Sequence, residues 1–132
     1  MNENAERWLA FAHEDLAAAK AVAKEALHNQ ACFHAQQCAE KAIKAVLAIH
    51  AAPPKLHSIS ELIESASVEL TRDLKDALII LDDYYIPTRY PDTLPGSLPN
   101  GLPDANDAQE AIRTAEEFLT LIVTHLKGSS PL

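Results

Sequence analysis

Apolar residues along this chain recur at three- and four-residue steps and nowhere alternate over a run long enough for a strand, so the pattern is helical. Trp8, Phe11, Ala12, Leu16, Ala19, Val22 and Ala26 mark a first helix from about Glu3 to Leu27, with His28-Asn29 as the break. A second runs from about Gln30 to Ala51 and stops before Pro53-Pro54. Ser58-Ile59-Ser60-Glu61 reads as a capping box that starts a short third helix, the hydroxyl and the carboxylate each taking a free N–H. A fourth covers roughly Arg72 to Tyr85, with Leu74, Leu78 and Leu81 on one side. Asp104 is the expected N-cap of a last helix through about Lys127, closed by Gly128. Between these two, prolines at 87, 91, 95, 99 and 103 argue for a long non-helical loop, because each lacks an N–H and pushes its predecessor out of the α region. Short early connections favour antiparallel neighbours. The expected fold is therefore all-α, an antiparallel up-down helical bundle of four main helices plus one short helix. It forms one domain over residues 1–128, with a frayed tail at 129–132.

Composition supports one core. A chain of 132 residues buries roughly two-thirds of its unfolded surface, and 48% apolar with only 5% aromatic residues favours close-packed helices. A net charge of −8 argues against general nucleic-acid binding, which needs clustered Lys and Arg, but not against one nucleotide in a local basic pocket. No run of about 18 apolar residues is present to span a membrane. The acidic start, Met1-Asn2-Glu3-Asn4-Ala5-Glu6-Arg7, does not read as a signal sequence. Cys32 and Cys38, about 9 Å apart along one helix, are too distant for a disulfide. A reduced cytoplasm is the expected location.

Candidate chemistry gathers in two places. On the second helix, Lys41 and Lys44 fall within about 40° of Gln37 at about 100° per residue, making one polar stripe. Ala35, Ala39, Ala42 and Val46 lie opposite, and Ile43 and Leu47 widen the apolar arc beyond half the circumference, as in a central helix or one shared with a subunit interface. Lys41 and Lys44 read either as a solvated face or as phosphate ligands. At the root of the proline loop, Arg89 offers a planar cationic fork for phosphate, with Tyr84, Tyr85 and Tyr90 as stacking faces. The plainer alternative pairs Arg89 with Asp92 or Asp82-Asp83 and packs the tyrosines as loop anchors. His57, just before the third helix, either meets an anion at that helix N-terminus or bonds a backbone carbonyl. His34 and Cys38 stand four residues apart but lack a third metal ligand, and structural zinc wants four. No metal or cofactor is expected.

Two runs are more specific. Gln36-Gln37-Cys38-Ala39-Glu40-Lys41-Ala42-Ile43-Lys44 and Arg89-Tyr90-Pro91-Asp92, about 50 residues apart, resemble the HEPN domain family. His57-Ser58-Ile59 with Leu62, Trp8 with Asp15-Leu16, and Ala108, Ala111 and Ala115 of the last helix extend the likeness over nearly the whole chain. The resemblance implies a small helical bundle that forms homodimers and partners a minimal nucleotidyltransferase in a toxin–antitoxin-like pair. It further implies binding of a nucleotide such as ATP, or of the transferase's substrate. Many members are metal-independent ribonucleases that use a late Arg followed by His four to six residues on. Here Arg89 is followed by Tyr-Pro-Asp-Thr-Leu, with no histidine before the last helix. Arg7 and His13 have the spacing, but on the first helix and about 120° apart. The expectation is thus a non-catalytic binding module whose candidate ligands are Arg89, Lys41, Lys44, Gln37, His57, Tyr85 and Tyr90. The alternative is a ribonuclease toxin with an atypical site.

Overall fold

A computed structural model describes residues 2–85 and 102–129, in five helices: α1 (Glu3–Lys24), α2 (His28–Leu47), α3 (Ile59–Ala66), α4 (Arg72–Asp82) and α5 (Ala105–Ser129). The described residues contain no strand, and the all-α bundle expected from the periodicity is what forms. The proline loop, with Arg89 and Tyr90, lies outside the described residues, as does most of the expected frayed tail.

Helix α2 is the hub. It packs most extensively on α1, then on α5, and also touches α3 and α4. The α1 seam is Ala5, Leu9, Ala12, Leu16 and Ala19, all buried and alternating steps of four and three, which is the spacing of a coiled-coil stripe. The alanines at 5, 12 and 19, and Ala31, Ala35, Ala39, Ala42 and Ala45 of α2, are fully buried. Small side chains at such positions let helix axes approach closely. The largest fully buried side chains come mainly from the other helices: Ile59 and Leu62 of α3, Leu78 and Leu81 of α4, and Phe118, Ile122 and Leu126 of α5. The start of α1 meets the end of α2 in antiparallel fashion. Asn2 caps α1 by accepting from Ala5 N–H through its side chain, and its amide donates to Ala48 O and Ile49 O at 3.1 Å each.

Several boundaries differ from the sequence reading, each for a local reason. The break after α1 falls at Glu25–Leu27, and His28-Asn29 begin α2 instead of breaking it. Ala26 takes a left-handed conformation, φ 61°, while Leu27 N–H donates to Val22 O and Ala26 N–H to Ala23 O. Those two bonds are a Schellman ending, built here on alanine where glycine is usual. Helix α2 ends at Leu47, four residues before Ala51, and passes into looser three-residue turns. Helix α4 ends at Asp82, with Asp83 as its C-cap and turn geometry at Tyr84. Gly128 does not close α5, which continues to Ser129; glycine permits a left-handed ending without requiring one.

The Asp104 cap arises as expected, only the serine half of the Ser58–Glu61 box is found among the described residues, and the capping roles of Asn2, Thr71 and Asp82 were missed. Asp104 accepts from Asp107 N–H at 2.8 Å while the Asp107 carboxylate accepts from Asp104 N–H at 3.0 Å, a reciprocal box at the head of α5. Ser58 Oγ accepts from Glu61 N–H at 3.3 Å to start α3. The remaining α3 donors go to α4: Asp82 accepts from Ile59 N–H at 2.7 Å and Ser60 N–H at 3.1 Å, and from both serine hydroxyls. That carboxylate ties α3 to the end of α4 and fixes the approach of His57.

Candidate functional site

The polar residues of α2 face two carboxylates, and each carboxylate holds one histidine and one lysine. Asp15 of α1 accepts from Lys41 Nζ at 2.5 Å and lies 3.1 Å from His34 Nδ1. Burial pushes the Asp15 carboxyl up, but hydrogen bonds from His34 and Lys41 and the lysine charge outweigh it, holding the group below its ordinary value. Glu40 accepts from Lys44 Nζ at 2.9 Å, and both its oxygens lie 3.3 Å from His57 Nδ1. The side chains of Glu40 and Lys44 are 4% and 7% exposed, so this ion pair is sequestered from water. The ammonium of Lys44 also sits 5.4 Å from the centre of the Trp8 ring, a cation–π contact.

Aromatic rings join the two ends. His57 stacks on Tyr85 with centroids 4.7 Å apart and planes 13° from parallel. Tyr85 is 6.2 Å from Phe33, and Phe33 meets His34 edge-on at 5.5 Å. Gln36, fully buried, donates to His57 O at 3.1 Å and accepts from Gln37 at 2.8 Å, and Gln37 in turn lies 3.4 Å from Glu40. Residues from α1, α2, the lead-in to α3 and the end of α4 thus form one continuous network, lying where the chain runs on toward Arg89.

Of the sequence candidates, Gln37, His57 and Tyr85 come together, and Lys41 and Lys44 belong to the same network. The solvated-face alternative fails for Lys44, which is buried against Glu40, while Lys41 is largely buried against Asp15. The helix wheel placed both lysines on one stripe but could not show the carboxylates facing them. His57 meets an anion, though the anion is Glu40 of the protein itself. The α3 N-terminus beside it is already occupied by Asp82, and among the described residues the His57 side chain bonds no backbone carbonyl. Arg89 and Tyr90 lie outside the described residues.

Sequence reasoning missed Glu40, Asp15, Asp82 and Phe33 as site residues. Glu40 was legible, since it lies four residues before Lys44 within the quoted run. Asp15 was not, because pairing it with α2 requires the helix–helix register. Among the described residues, no group of three or more His, Cys, Asp or Glu is disposed to hold a metal. Cys38 is fully buried and its thiol is pushed up to about 12, first by burial. On α1, Arg7 pairs with Glu3 at 3.5 Å, whereas His13 lines a groove of about 550 Å³ against α5, so the two do not share a site. No described helix is long and apolar enough to cross a membrane.

Comparison with known proteins agrees with this architecture. Residues 5–126 match the model of the HEPN domain. A protein of Methanocaldococcus jannaschii named as a putative toxin is 32% identical over 127 residues, covering 88% of this chain and 84% of that protein. The crystal structure of TT1696 from Thermus thermophilus superposes with a TM-score of 0.80 at 33% identity, covering 93% of this chain and 98% of the other. The structure of ST0689, described as an archaeal HEPN homologue, superposes with a TM-score of 0.74 at 31% identity, covering 94% and 98%.

Proposed function

This chain belongs to the HEPN domain family, and from that premise we propose that it is a nucleotide- or substrate-binding module with no catalytic activity of its own. Its site is the corner formed by His57, Tyr85 and Gln37, completed by Arg89. It acts as a homodimer beside a separate minimal nucleotidyltransferase, in a toxin–antitoxin-like pair; the toxin name of its Methanocaldococcus jannaschii relative is consistent with that setting.

One observation carries the reading. The His57 ring is held flat on Tyr85 while its side chain remains 53% exposed, a ready-made aromatic platform that offers a nucleoside both a ring face and a ring edge. Lys41 and Lys44 support the platform instead of binding phosphate, since each is already committed to a carboxylate. The phosphate ligand in this reading is Arg89, whose planar cationic fork suits the task.

Calorimetry of full-length protein with ATP tests this. Saturable binding that is lost in Arg89→Ala and in Tyr85→Ala is expected. Absence of binding, or binding indifferent to both substitutions, would overturn the proposal. Light scattering should give a dimer mass at micromolar concentration, and the nucleotidyltransferase encoded beside the gene should co-purify. The ribonuclease alternative draws less support, because Arg7 and His13 do not converge; RNA cleavage abolished by either alanine variant would reverse that judgement.

A further inference from the structure

Glu40 does more than hold a lysine: it decides which nitrogen of His57 carries the proton. Lys44 Nζ and Gln37 Nε2 both donate to this carboxylate, which is an acceptor only. With both Glu40 oxygens 3.3 Å from Nδ1, the neutral imidazole places its hydrogen on Nδ1 and its lone pair on Nε2. Among the described residues, Nε2 has no hydrogen-bond partner. A lone pair on an imidazole lies in the ring plane, and stacking on Tyr85 fixes that plane. The acceptor therefore has a set direction before any ligand arrives.

We propose that Glu40 is a positioning residue that presents His57 Nε2 as a hydrogen-bond acceptor, so that the site selects nucleotides offering a donor there, either a ribose hydroxyl or the exocyclic amine of the base. This rests on the nucleotide-binding reading and deepens it. It also reverses the role expected of His57 from its place before α3. An in-plane lone pair repels a phosphate oxygen, so His57 meets the nucleoside end of the ligand and leaves the phosphates to other groups.

Two measurements on the full-length protein test this. Long-range proton–nitrogen NMR correlations read the tautomer without any ligand: the Nδ1–H pattern is expected for His57, and an Nε2–H pattern would overturn the inference. Calorimetry with ATP, 2′-deoxy-ATP, 3′-deoxy-ATP and ITP then identifies the donor. The analogue lacking it should bind about tenfold more weakly, the effect of one hydrogen bond. Weakening confined to a deoxy analogue assigns the donor to the ribose, and weakening confined to ITP assigns it to the base. His57→Phe, which keeps the stack and removes Nε2, should still bind ATP but with that tenfold difference abolished. Equal affinity for all four nucleotides, or selectivity intact in His57→Phe, would overturn the inference and leave nucleotide binding standing. Failure of every nucleotide to bind would overturn both.

Discussion

Replacing both members of the Glu40–Lys44 pair should cost far less than replacing either one. The pair is 2.9 Å long with both side chains almost wholly buried. In Lys44→Met, Glu40 keeps, among the described residues, the imidazole of His57 and the amide of Gln37. In Glu40→Leu, the Lys44 ammonium keeps, among the described residues, the face of Trp8, 5.4 Å away. Stranding one buried charge costs about 3–5 kcal/mol, a large share of a total stability of about 5–15 kcal/mol. A Glu40→Leu/Lys44→Met double variant strands neither charge and restores apolar contact in a small-residue core. It should lie within about 2 kcal/mol of wild type, with a coupling energy of about 3 kcal/mol or more. His57 loses its carboxylate in the double variant, but at 53% exposure water replaces it cheaply. Urea unfolding of the four proteins gives the cycle. Additive losses, or single variants each costing below about 1 kcal/mol, would refute a sequestered pair. A fold restored without nucleotide selectivity would separate the structural share of Glu40 from its share in the site.

Three further outcomes follow from the local geometry. Ala26→Gly should stabilise the protein by about 1 kcal/mol, since glycine adopts φ near 61° without the Cβ penalty; a lower urea midpoint would contradict the Schellman ending. Asp82→Ala removes the acceptor of two α3 backbone N–H groups and two serine hydroxyls, and should cost about 2 kcal/mol. Hydrogen exchange should then accelerate in α3 before the rest, and uniform exchange would refute that coupling. The Asp15 carboxyl is held below its ordinary value of 3.8, so it stabilises the fold above that value, and this contribution is lost as pH falls through the lower folded-state value. The stability gap between wild type and Asp15→Asn should therefore be constant near neutrality and shrink below about pH 4; a gap unchanged down to about pH 2 would contradict it.

Much of this was legible in the chain because periodicity and caps are local. Ser58, Asp104 and the three- and four-residue steps of α1 each carry their own structural consequence within a few residues. The α1–α2 break was misplaced because Ala26 supplies the left-handed residue, and alanine gives no signal of that conformation. The end of α2 was misplaced because Ala48, Ala51 and Ala52 are good helix formers, yet the chain must turn earlier to deliver His57 to Glu40. The site was half legible for the same reason. Gln37, Lys41 and Lys44 share a helix face by arithmetic, and the Glu40–Lys44 spacing was there to be read. The pairing of Lys41 with Asp15, and of α3 with Asp82, depends on helix–helix register, which one sequence does not encode locally.

Whether a nucleotide occupies this corner is tested most directly by titrating ATP into isotope-labelled full-length protein and following the ring signals of its six histidines and of Tyr85 by NMR. The His57 and Tyr85 signals should move together and saturably, while those of His13 and His125, which line grooves involving α5, stay in place. His57 and Tyr85 signals unmoved at saturating ATP would contradict the account.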